Sequence, residues 1–122
     1  MATQPDFWGD LQVAEIRTPV AVLKEQAALL GIKTNNVLEG KITTQIQHGE
    51  FYHSFNVVVP TLDDYTYELF TVNHPVNMYP LNVTYTGTML KTEVEFTAWL
   101  REKLSSPETK RIITNLLAQA HS

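Results

Sequence analysis

Two stretches of alternating polar and apolar residues, one on each side of His48-Gly49, constrain the fold of this chain more than any other feature. Residues 38–47 and residues 51–59 both repeat with a period of two, which is typical of half-buried β-strands. A two-residue connection that contains glycine favours a tight turn. Pro60 ends the second run, because proline cannot donate to a strand ladder. We therefore expect a long antiparallel hairpin.

Two further strands are predicted after this hairpin. Residues 65–72 are rich in aromatic and β-branched residues, which favour strands. Their buried face is ambiguous, because apolar side chains occupy both parities: Tyr65, Tyr67 and Leu69 on one, Phe70 and Val72 on the other. A shorter strand is predicted around Leu81, Val83 and Tyr85, ending near Gly87. Short connections between strands predict an antiparallel meander, since parallel pairing needs long crossovers.

Helices are predicted before and after the strands. Thr18-Pro19 is a typical helix start, and the apolar spacing predicts a helix over residues 19–30 that ends at Gly31. Thr92 and Glu95 have the spacing of a capping box, followed by an apolar stripe that runs to Leu104. Ser106-Pro107 begins a last helix by the same logic as the first.

The chain of 122 residues is long enough for one domain and too short for two cores. We predict a single α+β domain over residues 1–122, in the order α-β-β-β-β-α-α, with the helices packed on one face of a four-stranded antiparallel meander. Residues 1–17 form an N-terminal leader. Its adjacent aromatic residues, Phe7 and Trp8, predict that the leader is pinned onto the body of the domain.

Composition excludes several classes of function. Without cysteine the chain has no disulfide, thiolate zinc site or iron–sulfur cluster, and it has no phosphate-binding glycine loop, so we expect no cofactor. The net charge of −4 and the scattered basic residues argue against a nucleic-acid or membrane partner. Three acidic residues precede Arg17, and no long apolar run follows, so we expect no secretion signal and a cytoplasmic location.

His53 is the first candidate for chemistry, because it shares the parity of the apolar residues Phe51 and Phe55. It is either a neutral core histidine or a base in a ligand pocket, assisted by a tyrosine such as Tyr67 or Tyr85. The sequence predicts no metal site, since the helical pattern with histidines at i and i+4 is absent and we expect no two histidines to share a site. Asp63 and Asp64 lie shortly after Pro60 in the sequence, and we interpret this pair as turn residues.

The outward face of the predicted sheet is a candidate recognition surface. It is rich in hydroxyl and amide groups, has few charges, and includes Thr43, Gln45, Tyr52, Ser54 and Asn56. Depletion of charge distinguishes the cores of interfaces from plain surface. An ordinary exposed antiparallel face is the alternative, since such faces also tolerate threonine and tyrosine.

These observations favour a non-enzymatic cytoplasmic interaction module. We expect it to bind a protein partner, or a second copy of itself as a dimer, through the open sheet face or an edge strand. The alternative is a small-ligand-binding protein, or a small hydrolase- or isomerase-type enzyme, with a pocket between sheet and helices that uses His53.

Overall fold

The computed structural model describes residues 5–12 and 16–122. In chain order its elements are helix α1 (Pro19–Lys33), strands β1 (Glu39–Gln47), β2 (Glu50–Val59), β3 (Tyr65–His74), β4 (Leu81–Val83) and β5 (Thr88–Leu90), and helices α2 (Glu93–Leu104) and α3 (Pro107–Ala120). The strands form one antiparallel sheet in sequential order. The predicted α+β class is confirmed. The predicted count of four strands is wrong, because β5 is too short to show alternation in the sequence.

The hairpin of β1 and β2 forms as predicted. His48 and Gly49 both have positive φ, 50° and 77°, as a type I′ turn requires. The pairing runs without a shift from Gln47 opposite Glu50 to Glu39 opposite Val58. The turn therefore sets the register of the whole hairpin.

A β-bulge in β3 explains its ambiguous pattern. Phe55 lies opposite Phe70 whereas Asn56 lies opposite Glu68, so Leu69 is an extra residue in β3. Before the bulge the odd-numbered residues face the helices, and after it the even-numbered residues do. Both apolar sets therefore face the core. Tyr67 and Leu69 pack against it from the first half of the strand, and Phe70 and Val72 from the second half.

The connection after β2 is short, and the one after β3 is a six-residue loop. Asp63 and Asp64 have φ values of 54° and 56°, a left-handed conformation that aspartate tolerates better than most residues, and so they lie in the predicted turn. The loop between β3 and β4 contains a cis peptide bond between Tyr79 and Pro80.

Helix α1 begins as predicted and ends later than predicted. The Thr18 hydroxyl accepts a hydrogen bond from the Ala21 amide at 3.2 Å. The helix continues through Gly31 to Lys33, and the chain turns at Asn35 and Asn36, which both have positive φ. Asparagine, and not the predicted Gly31, therefore provides the left-handed conformation that ends the helix. None of the helices in residues 5–12 and 16–122 is long and apolar enough to span a membrane.

All three helices pack on one face of the sheet, as predicted, and enclose two apolar clusters. Helices α1 and α2 cover the first cluster, which includes Leu23, Phe55, Phe70, Val72, Phe96 and Leu100. Helix α3 covers the second, built on Leu38, Val57, Val59 and Leu116. Thr92 and Ser106 cap α2 and α3, their hydroxyls accepting bonds from the amides of Glu95 and Thr109.

The N-terminal leader is described at residues 5–12, 16 and 17, and its attachment to the domain stays a prediction. Phe7 and Trp8 are 83% and 79% exposed, so neither ring packs against the domain. Residues 1–4 and 13–15 of the predicted leader lie outside the described residues. Arg17 does contact the body, through ion pairs with Glu25 and with Glu93, the latter at 3.8 Å.

Candidate functional site

His53 lies beside a second buried histidine, His74 at the end of β3. Their Nε2 atoms are 2.9 Å apart. The other nitrogen of each ring is also bonded: His53 Nδ1 lies 2.9 Å from the Thr44 hydroxyl, and His74 Nδ1 lies 2.7 Å from the Pro75 carbonyl oxygen. The Phe51 ring stacks on His74 with a centroid distance of 5.4 Å. The four side chains form a compact group near the tip of the hairpin.

These contacts determine the tautomer of each neutral ring. A carbonyl oxygen only accepts, so His74 carries its proton on Nδ1 and accepts at Nε2. His53 must then donate from Nε2 to His74 and accept at Nδ1 from the Thr44 hydroxyl. The result is a directed chain of hydrogen bonds from β1 across β2 to the end of β3.

The histidine pair is suited to structure and not to proton transfer with a substrate. Every ring nitrogen of His53 and His74 already has a partner, so none is left to take a proton from a bound molecule. Burial, followed by the neighbouring His74 and Lys24, lowers the pKa of His53 from 6.5 to about 4. His53 is therefore neutral near pH 7, as the core-histidine interpretation requires.

The tyrosines proposed as assistants do not lie beside His53. Tyr67 packs in the second apolar cluster and pairs with Val57, whereas His53 pairs with Val72. Tyr85 is 77% exposed in the turn after β4. The structure does not assemble the predicted catalytic group.

The expectation that no two histidines share a site is wrong, and the bulge is the reason. If the register at Val59 and Tyr65 continued unchanged, His53 would lie opposite Thr71 and His74 would face the other side of the sheet. The extra residue Leu69 shifts the register of the rest of β3 by one residue. This shift places His74 on the same face of the sheet as His53. The alternation of polar and apolar residues in the sequence does not reveal this shift in register.

The histidine pair does not have the geometry of a metal site. Two nitrogens bound to one tetrahedral zinc ion are about 3.3 Å apart, because each Zn–N bond is about 2.0 Å. The Nε2 atoms here are closer, at 2.9 Å, which is a hydrogen-bond distance. Within residues 5–12 and 16–122, no three potential ligands from His, Asp or Glu come together.

The predicted recognition residues share the outer sheet face, and three of the five, Thr43, Ser54 and Asn56, form hydrogen bonds within that face. The Ser54 hydroxyl bonds that of Thr71 at 2.7 Å. The Asn56 amide donates to the Lys41 carbonyl oxygen and the Thr43 hydroxyl, both at 3.2 Å. Sequence reasoning did not identify a third group, in which Asn73 binds Glu50, Asn82 and Thr84.

The outer face also carries more charge than expected. Strand pairing places four charged residues on the same side as Thr43, Ser54 and Asn56: Glu39, Lys41, Glu50 and Glu68. A charged and internally bonded face resembles ordinary solvated surface. The structure therefore weakens the argument for docking on this face.

The free edge of β1 presents a different surface. In a two-residue hairpin the residues flanking the turn exchange both backbone hydrogen bonds, and the pairs then alternate along the strands. Gln47, Gln45 and Thr43 therefore direct their backbone groups toward β2. The backbone N–H and C=O groups of the alternate residues point away from the sheet: Gly40, Ile42, Thr44 and Ile46.

Residues 42–47 of this edge lack the features that usually protect an edge strand, because the charged residues of β1, Glu39 and Lys41, lie outside that stretch. Strand β1 has nine residues, no proline and no register shift against β2, and residues 42–47 carry no charge. Ile46 is 67% exposed. The opposite edge, β5, is only three residues long, and short length is itself protective. Strand β1 is the edge that is open to pairing.

The β1 edge is thus the feature of the described chain that is best suited to recognition. No protein-family model, curated protein or solved structure matches this chain. A functional proposal therefore depends on the geometry described above.

The pKa of His53 predicts a pH-dependent stability. The unfolded chain takes up a proton near pH 6.5, whereas folded His53 does so only near pH 4. The free energy of unfolding should therefore fall as the pH drops from about 6.5 to 4, by at most about 3 kcal/mol from this residue. Urea unfolding measured at pH 7.5 and pH 4.5 tests this.

His53→Gln should reduce the pH dependence, because glutamine can keep both hydrogen bonds without titrating. His121→Gln, at the exposed end of α3, is the matched control and should change little. Equal pH dependence in the wild-type protein and His53→Gln would contradict the prediction.

Proposed function

We propose that this protein is a non-enzymatic interaction module that pairs with a second copy of itself through the edge of β1. The observation that carries the proposal is the unprotected edge: nine residues of regular strand with outward backbone groups at Ile42, Thr44 and Ile46. Such an edge is a template for adding another strand.

The side chains of β1 favour an antiparallel register centred on Thr44. In this register Thr44 lies opposite Thr44 of the second copy, and Ile42 lies opposite Ile46. Three hydrogen-bonded pairs would contribute about six backbone hydrogen bonds. Exposed Ile46 would gain an apolar cross-strand neighbour, which stabilises such pairs. Lys41 would face Gln47, so no like charges are opposed.

The edge fits the proposal better than the outer face does. Among the residues that the structure describes, no strand pairs with the backbone groups at this edge, whereas the side chains of Ser54 and Asn56 on the face bond to their neighbours. Edge pairing also needs no pocket and no titrating group, in keeping with the fully bonded rings of His53 and His74.

Sedimentation velocity over a range of concentrations tests the proposal. The wild-type protein should approach twice the 13.9 kDa mass of one chain as the concentration rises. Ile46→Pro should remain monomeric, because proline removes an outward N–H and leaves the bonds to β2 intact. Circular dichroism establishes whether the variant folds. If it does not fold, Ile46→Lys replaces it, since lysine is a common guard of edge strands.

Tyr52→Ser is the control for the outer face, because Tyr52 lies on β2 away from the edge. We expect this variant to dimerise like the wild-type protein. A wild-type protein that stays monomeric at all concentrations would contradict the proposal. Dimers that survive in folded Ile46→Pro and are lost in Tyr52→Ser would assign the contact to the outer face instead.

A further inference from the structure

A groove of about 560 Å³ lies on the helical side of the sheet, with α1 along one wall and α2 and α3 along the other. Its apolar floor includes Phe55 of β2 and the bulged residue Leu69, and its walls include Leu29 and Leu100. The volume falls within the range of about 300–1,000 Å³ that is typical of small-molecule sites. His53 is not among the residues that line this groove.

The charges along the groove all have one sign. Arg17, Lys33, Arg101 and Lys110 line it, and none of its lining residues is acidic. These are four of only nine basic residues in a chain whose net charge is −4. Both ion pairs within residues 5–12 and 16–122 belong to Arg17, which leaves Lys33, Arg101 and Lys110 to balance a bound anion.

We propose that this groove binds an amphipathic monoanion, a linear aliphatic carboxylate, with the chain on the apolar floor and the carboxylate beside Arg101 and Lys110 at the rim. An apolar floor alone would suit a neutral ligand, and a basic rim alone would suit a polyanion. The two together select a molecule with an apolar body and one anionic end. The site is independent of the β1 edge, because β1 contributes none of its lining residues.

The N-terminal segment of the chain is the rival occupant. It contains exposed apolar side chains at Phe7, Trp8 and Leu11, with Asp6 before them and Asp10 among them, and so shares the chemistry of the proposed ligand. We favour the small carboxylate because Phe7 and Trp8 are exposed in the structure and leave the groove open.

Isothermal titration of the full chain with dodecanoate, below its micelle concentration, tests the proposal. Dodecanoate should bind saturably to one site per chain, and dodecyltrimethylammonium, with the same chain and opposite charge, should not. Arg101→Gln combined with Lys110→Gln should weaken dodecanoate binding at least about tenfold. Leu29→Asp should weaken it similarly, because it places a carboxylate in the groove; Leu29 is 44% exposed, so this change should be tolerated by the fold.

Lys91→Gln combined with Arg111→Gln is the matched control. It removes the same charge from exposed residues outside the groove, one of them next to Lys110, and should bind like the wild-type protein. Equal loss in both double variants would overturn the proposal, as would equal binding of the two detergents or no binding of dodecanoate. Binding that appears only after Phe7→Ser and Trp8→Ser would assign the groove to the N-terminal segment and would also overturn it.

Discussion

Gly40→Ala should destabilise the domain by about 3 kcal/mol or more, because β1 passes directly beneath α1 at this residue. A Cβ atom at Gly40 would lie 2.6 Å from both the Cα and the carbonyl oxygen of Ala27. These are backbone atoms, so no rotation of a side chain can relieve the contact. The helix must move away from the sheet, and the buried contacts of Leu23 and Ala27 would loosen. Urea unfolding followed by circular dichroism measures the loss.

Gly31→Ala is the control for this prediction and should have the opposite sign. Gly31 lies within α1, and the nearest atom to an added Cβ is the Asn36 side-chain oxygen at 3.4 Å. Alanine in a helix interior should increase the free energy of unfolding by about 0.5–1 kcal/mol. If Gly40→Ala were as stable as the wild-type protein, α1 would not lie against β1 at this point.

Leu100→Ala should cost about 2–5 kcal/mol of stability, since the side chain is 2% exposed in the cluster between α2 and the sheet. Leu116→Ala should cost a similar amount, because Leu116 of α3 packs in the second apolar cluster. Thermal and urea unfolding of each variant provide the measurement.

Val94→Ala is the matched control, on the same helix as Leu100. Val94 is 78% exposed, and its change should alter the free energy of unfolding by less than about 0.5 kcal/mol. A loss that small at Leu100 would mean that the apolar stripe of α2 does not face the sheet.

Local signals were sufficient for most of the secondary structure. The turn at His48-Gly49 and the alternation around it predicted the hairpin, and the Thr-Pro and Ser-Pro pairs predicted the starts of α1 and α3. These features depend on neighbours a few residues apart, and such neighbours are visible in a sequence. The end of α1 and the existence of β5 were missed, because the signals there are short and compete with one another.

The candidate site was predicted less well. The orientation of Tyr52, Ser54 and Asn56 followed from alternation, but their partners did not, because hydrogen bonds between strands depend on register. Thr71 and Asn73 were not identified for the same reason. The charge on the outer sheet face was underestimated, because its charged residues come from separate strands.

The sequence by itself determined the class of the fold, the tight hairpin, the helix caps and the neutral character expected of a histidine among apolar residues. Each of these depends on a local pattern of residue types and backbone preferences. Only the tertiary structure decided that His74 meets His53, that β1 is the open edge, and that four basic residues surround one groove. The physical reason is that these features join residues far apart in the chain. For the histidines, the single extra residue Leu69 decides which side chains meet, because a strand that shifts by one residue turns every side chain to the opposite face.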